Sequence, residues 1–251
     1  MTIKIRDVTP NVSPTLREAK LDHRQRVAGP GIEVDVISLL RGPISMETTY
    51  EAMLAAPGLL EEISRAQEEG FDGVFIDCFG DPVLRPGREL ADIPMMAAGL
   101  AAMLFAMALG DKFSIVTVRN ALPSVQENVR AYCFQERVAS IRWVEFSSFE
   151  LYRYASEVED KICHESRKAI EEDGADVIVL GCTAMSHAAR SLSKRLGVPV
   201  IDPAGAGLKM LVDVVEMGLC HSKRAYPSPP DRSAQLRESG LESPEELARV
   251  E

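Results

Sequence analysis

Two cysteines, Cys78 and Cys182, occupy equivalent points of an internal repeat. Gly70, Asp72 and Cys78 have the same mutual spacing as Gly174, Asp176 and Cys182. An acidic helix end precedes each copy, Glu68-Glu69-Gly70 and Glu172-Asp173-Gly174. A second strand approach follows each, Asp92-Ile93-Pro94 and Gly197-Val198-Pro199. Each copy therefore offers one thiol at the tip of one strand. Around the second, Ile178-Val179-Leu180 reads as a strand buried on both faces, and Thr183 can open the helix that follows. That places Cys182 near a helix amino terminus, where unpaired N–H groups favour a thiolate.

Two like groups on opposite sides of a substrate suit the inversion of a carbon. One thiolate removes a proton from one face, the opposing thiol returns one to the other, and the roles reverse with the enantiomer. The planar carbanion between them needs donors, and the N–H groups of Phe79, Gly80, Thr183 and Ala184 are placed to supply them. A metal site is disfavoured, because no C-x-x-C pair occurs and His23, His164, His187 and His221 are scattered. His187 lies five residues after Cys182 and could tune its thiol, but its helical position reads better as surface or support. Cys133, Cys163 and Cys220 read as inert buried thiols.

The elements that position these residues alternate throughout. Ile3–Val8, Glu33–Ser38, Val74–Asp77, Phe113–Val118, Ile141–Phe146 and Val200-Ile201 read as strands, with Met95-Met96 as a brief strand or loop. Helices are predicted over 16–26, from about Met46, over 59–69, 88–91, 97–109, 124–133, 152–172, 183–196 and 204–217, with Pro57-Gly58 as an interruption. Such alternation is the signature of parallel α/β sheets, and the repeat divides them into two similar lobes facing each other. The first lobe is assigned residues 1–112 with 205–226, and the second residues 113–204. Residues 227–251 form a tail stiffened by Pro227, Pro229 and Pro230, in which Ser243-Pro244-Glu245-Glu246 can cap a short final helix.

The 251 residues suffice for a large core, and the composition, 46% hydrophobic and 26% charged, is that of a globular chain. Aromatics at 6% and a formal charge of −10 argue against a nucleic-acid partner. No stretch is long and apolar enough for a bilayer, nor does the amino terminus resemble a signal peptide. Five scattered cysteines suit a reducing cytoplasm.

At these residues the chain resembles the aspartate/glutamate racemase superfamily, and within it the hydantoin and allantoin racemases. The resemblance runs from about Ile3 to Tyr226. Pro10-Asn11-Val12-Ser13, Gly42-Pro43-Ile44-Ser45-Met46-Glu47, Cys78-Phe79-Gly80-Asp81-Pro82, Gly181-Cys182-Thr183-Ala184-Met185 and Gly218-Leu219-Cys220-His221-Ser222-Lys223 carry it. It implies two pseudo-symmetric flavodoxin-like lobes with the active site in the cleft between them. It also implies racemisation of a small molecule without a cofactor or metal, Cys78 and Cys182 as the acid/base pair, and a homo-oligomer. Asn11 and Ser45 fall in the matching substrate loops, as do Thr117 and Val118. The chain departs from the family pattern at Thr9 and Val12, at Val118-Arg119-Asn120, and at Ser186-His187, where an acidic residue is usual. These departures leave open a substrate other than a simple 5-substituted hydantoin. The alternatives are decarboxylation or isomerisation of a small dicarboxylate, or non-catalytic binding on the same scaffold.

Overall fold

The computed structural model describes residues 2–13, 17–147, 150–151 and 155–230. The first half runs β1 (Ile3–Thr9), α1 (Arg17–Ala28), β2 (Ile32–Ser38), α2 (Thr49–Glu68), β3 (Gly73–Ile76), α3 (Leu84–Leu90) and β4 (Met95–Ala97). After α4 (Ala98–Leu109) come β5 (Phe113–Val118), α5 (Leu122–Ala131), β6 (Val138–Val144), α6 (Ala155–Glu171), β7 (Val177–Leu180), α7 (Ala189–Leu196), β8 (Val200–Ile201) and α8 (Pro203–Glu216). Two four-stranded parallel sheets result, in the orders β2-β1-β3-β4 and β6-β5-β7-β8. The order is the same in both, as the repeat requires. The tail helix expected around Ser243 lies outside the described residues.

The repeat has a physical basis at each shared residue. Gly70 and Gly174 turn the chain out of the preceding helix with φ of 78° and 76°, where a side chain would be strained. Asp72 then accepts the Lys4 N–H at 2.8 Å, and Asp176 accepts the Asp111 and Lys112 N–H groups at 3.0 and 2.9 Å. Each carboxylate thus ties the start of the neighbouring strand. The strand approaches match too: Val74 N–H donates to Pro94 O and Ile178 N–H to Pro199 O, both at 3.0 Å.

The largest core cluster takes residues from both sheets, among them Phe75, Phe113, Ile115, Val177 and Val179, with α4 and α8 contributing Ala98, Ala101, Ala102, Leu208 and Leu211. The small residues of α4 let that helix lie close against both halves. Phe75 and Phe113 are fully buried, each contributing about 1.5–3 kcal/mol of transfer free energy. α8 packs on α1, α4, β3 and β4, so the chain ends its second half by returning to the first. Residues 219–226 follow it there. Lys223 Nζ donates to the Ala91 carbonyl at 2.6 Å and the Arg88 carbonyl at 3.1 Å, closing the end of α3.

Three expectations are corrected. Pro57-Gly58 does not interrupt α2, which starts at the Thr48 capping box and runs unbroken to Glu68. Ala55, Leu59, Ile63 and Ala66 bury one continuous face, and this outweighs the single N–H that Pro57 lacks. The helix predicted over 183–196 is a 3-10 segment, Thr183–Ala188, followed by α7. Of the three cysteines read as buried, only Cys163 is; Cys133 and Cys220 are exposed.

Candidate active site

In each sheet the chain leaves the first strand toward one edge and later returns to the other side of that strand. The switch points lie between β1 and β3 and between β5 and β7, and in open α/β sheets ligands bind outside the strand ends there. The loops leaving these strands carry Pro10-Asn11, Asp77-Cys78 and Gly181-Cys182, and β5 ends at Val118. They converge on one cavity of about 90 Å³ whose wall contains both cysteines. Its lining includes polar Thr9, Asn11, Lys20 and Asp77 and apolar Ile44, Met46, Ala52, Val118, Ala121 and Val125.

Ten side chains or backbone segments were expected at this site, and nine line the cavity: Cys78, Cys182, Asn11, Ser45, Phe79, Gly80, Val118, Thr183 and Ala184. Thr117 does not. It is fully buried behind the wall, and its hydroxyl donates to the Gly181 carbonyl at 2.8 Å. A Cβ on Gly181 would stand 2.5 Å from Thr117 Cβ and 2.9 Å from Ile115 Cγ2, so the turn before Cys182 lies flush against β5. Asn11 Oδ1 accepts the Ser13 N–H at 3.0 Å and holds its own loop. Ser45 donates to Glu51 at 3.3 Å, which ties the loop before α2 to the capping box. His187 hydrogen-bonds the Ala184 carbonyl at 3.0 Å and is exposed outside the cavity.

Each thiol is half-buried. Burial pushes Cys78 up to about 12; the Gly80 N–H opposes this, and Cys182, Asp81 and Asp77 add to it. Burial likewise pushes Cys182 up to about 11, opposed by the Ala184 N–H and by Lys20. The expected helix-terminus effect on Cys182 is therefore outweighed. The segment after it is only six residues of 3-10 helix, and removal from water dominates. Gly80 and Ala184, expected to face the substrate, donate to the sulfurs. Among the described residues the Phe79 and Thr183 N–H groups have no protein acceptor, leaving one donor beside each thiol for a ligand.

The two halves also touch across the cavity. Asn128 Nδ2 donates to the Phe79 carbonyl at 3.1 Å, Thr183 Oγ1 to the Asp77 carbonyl at 3.4 Å, and Asn120 Nδ2 to Glu47 at 3.1 Å. The loop of one cysteine is thereby braced by the half that carries the other. Among the described residues no three His, Cys, Asp or Glu side chains gather as a metal site would need.

Residues 8–211 match the family model described as Asp/Glu/Hydantoin racemase. The chain belongs to this family. It is 34% identical over 222 residues to the hydantoin racemase of Pseudomonas sp. (strain NS671), covering 88% of this chain and 89% of that one. It is also 34% identical over 236 residues to the hydantoin racemase of Paenarthrobacter aurescens, covering 92% and 99%. Among solved structures, allantoin racemase from Klebsiella pneumoniae superposes with a TM-score of 0.88 at 33% identity, covering 96% and 99%. A racemase-like enzyme with the two-lobed fold of this family is therefore the frame for the site.

Within that frame, sequence reasoning missed Lys20, Asp77, Met46, Ser124 and Val125 of the cavity wall. The repeat held a signal for one of them. Asp77 stands where the second copy has Gly181, directly before the cysteine, and a carboxylate there interrupts an otherwise apolar strand. Lys20 and Arg24, four residues apart in α1, are its partners. No feature of the sequence marked them.

Proposed function

We propose that this family member racemises a cyclic ureide, a 5-substituted hydantoin or allantoin, without a cofactor, using Cys78 and Cys182 as the proton-transferring pair. The observation that carries the reading is that thiols from equivalent points of the two halves share one cavity wall. The names of the relatives, hydantoin racemase and allantoin racemase, support the substrate class. One thiolate takes the proton from the stereogenic carbon, and the electron pair moves into the adjacent carbonyl. The thiol opposite then delivers its proton to the other face. Phe79 and Thr183 N–H groups stand beside the two sulfurs to receive the oxyanion. Among the lining residues, Ile44, Met46, Val118 and Val125 suit an apolar ring substituent, while Thr9 and Asn11 offer hydrogen-bonding groups to a ureido one. The reading includes a first lobe of residues 1–112 with 205–226, a second of 113–204, a homo-oligomeric assembly and a cytoplasmic setting. No helix among the described residues is long and apolar enough to cross a membrane.

The test is deuterium uptake from D2O by single enantiomers of allantoin and of 5-substituted hydantoins, with wild type, Cys78→Ser and Cys182→Ser. Wild type should exchange and invert, and each variant should lose racemisation. Exchange without inversion in one variant assigns the surviving thiol to one face. Exchange that persists unchanged in both variants overturns the two-thiol reading. Absence of exchange with every ureide in wild type overturns the substrate class.

A further inference from the structure

Four buried charged side chains lie behind and beside the cavity: Asp7 in β1, Asp77 at the end of β3, and Lys20 and Arg24 on one face of α1. Arg24 Nε donates to Asp7 Oδ2 and Arg24 Nη2 to Asp77 Oδ2, both at 2.9 Å. Asp77 Oδ2 also pairs with Lys20 Nζ at 2.7 Å, and Lys20 Nζ donates to Thr9 Oγ1 at 3.0 Å. Such a cluster is a poor way to stabilise a core. Apolar residues of the same volume do as well or better, because each charge must leave water. Its asymmetry toward the cavity is informative. Arg24 and Asp7 are absent from the wall, while Lys20 and Asp77 form part of it.

Arg24 therefore acts as a back anchor. Burial would raise the Asp77 carboxyl, but Arg24 and Lys20 together hold it well below the usual carboxylate range. An ionised Asp77 fixes Lys20 at the cavity wall through one oxygen, and Thr9 fixes it through a second contact. Two of the three ammonium N–H groups are used, which leaves one for a ligand. Lys20 also acts on Cys182, where its charge opposes the effect of burial on the thiol. Asp77 and Glu47 push that thiol the other way, and Asp81 and Asp77 do the same at Cys78.

We infer that Lys20 is a further catalytic residue: its ammonium receives the oxyanion formed on the substrate carbonyl when Cys182 removes the neighbouring proton. This rests on the racemase reading above. In the step, the Cys182 thiolate takes the carbon-bound proton and becomes a thiol. The C–H electron pair becomes the C=C of an enolate, and the carbonyl π pair becomes an oxygen lone pair held by Lys20. Cys78 then gives its proton to the opposite face, the enolate pair forms the new C–H bond, the carbonyl is restored, and Cys78 is left as the thiolate. The substrate class is a carbon acid whose stereogenic C–H adjoins an amide-type carbonyl, with that oxygen directed toward Lys20.

The experiment compares wild type with Lys20→Met, Lys20→Gln and Lys20→Arg. Gln keeps donors for Asp77 and Thr9 without the charge, so it stands in if Lys20→Met does not fold. Hydantoin exchange should fall about 10²–10³-fold in the uncharged variants, the scale for loss of one oxyanion donor, with thermal unfolding near wild type and partial recovery in Lys20→Arg. At fixed pH, iodoacetamide should label Cys182 more slowly in Lys20→Gln, with a smaller change at Cys78. Exchange within about twofold of wild type in folded Lys20→Gln overturns the inference, as does equal slowing of both thiols. The labelling needs no substrate. A wild type that exchanges no ureide therefore defeats the racemase reading, while the labelling still decides whether Lys20 and Cys182 act together.

Discussion

Tyr132, the residue that follows α5, donates its hydroxyl to Asp81 Oδ2 at 2.9 Å, joining the second half of the molecule to the loop that carries Cys78. The same carboxylate accepts the Gly99 and Leu100 N–H groups of the first turn of α4, both at 2.7 Å. Asp81 is buried and its backbone is left-handed, with φ of 49°. Aspartate tolerates that conformation better than most side chains, and its carboxylate is what a helix amino terminus takes up. One residue of the Cys78-Phe79-Gly80-Asp81-Pro82 string thus fixes the cysteine loop, the central helix and the facing half at once.

Tyr132→Phe removes one donor and keeps the ring, and should cost about 1–3 kcal/mol of stability by urea unfolding. Burial pushes the Asp81 carboxyl up to about 7 from 3.8, against its three donors. The folded chain therefore keeps a proton that the unfolded chain gives up between about pH 4 and pH 7. The stability owed to that proton is full below about pH 4 and is lost as the pH rises through about 7. Asp7, also raised to about 7 by burial, contributes a slope of the same sign. Asp81→Asn should flatten part of the fall in stability between pH 5 and pH 8. An unchanged slope in that variant would show that Asp81 does not titrate there.

The thiols should behave as weak acids. With Cys182 near 11 and Cys78 near 12 in the free enzyme, alkylation by iodoacetamide should rise about tenfold per pH unit from pH 7 to pH 10 at both. Cys182, whose thiol is raised less, should react faster than Cys78. Racemisation kcat/KM should climb over the same range, because the fraction of base grows while the acid keeps its proton. Mass-spectrometric mapping separates these sites from the exposed Cys133 and Cys220. A plateau below pH 8 at either thiol would mean that burial does not govern its acidity.

Gly181→Ala tests the seating of Cys182. The new methyl would meet Thr117 Cβ and Ile115 Cγ2, both on a fully buried strand that cannot yield. The cost should be about 1–3 kcal/mol, read as a fall in Tm. The turn should shift toward the cavity, and about 10²-fold should be lost from kcat with the misplaced sulfur. Thr117→Val keeps the shape and removes only the hydrogen bond to the Gly181 carbonyl, so its effect should stay near 1 kcal/mol. Wild-type kcat in Gly181→Ala would show that the turn has slack the packing does not suggest.

Much of this fold was legible in the chain because its signals are local. Short apolar runs marked β3 and β7, the second ending at Gly181, alternation marked β5, and Pro123 marked the start of α5. The shared spacing of Gly70, Asp72 and Cys78 with Gly174, Asp176 and Cys182 announced two matching halves, since each of those residues has a short-range job at a strand or helix end. Pro57 misled, because one lost N–H is read easily from sequence whereas the buried face of α2 that outweighs it is not. The 3-10 form of Thr183–Ala188 was equally hidden, as helix type depends on what the segment packs against.

The sequence by itself determined that two thiols stand at matching strand tips and that the chain resembles the hydantoin and allantoin racemases. Pattern and spacing carry that much, because alternation and turn residues act over a few positions. Only the tertiary structure decided that burial pushes both thiols up, that Thr117 supports the wall instead of forming it, and that Lys20 reaches the cavity. Dehydration of a sulfur and the pairing of Lys20 and Arg24 with Asp77 depend on what distant segments bring together. Lys20 and Asp77 are 57 positions apart in the chain and 2.7 Å apart in space.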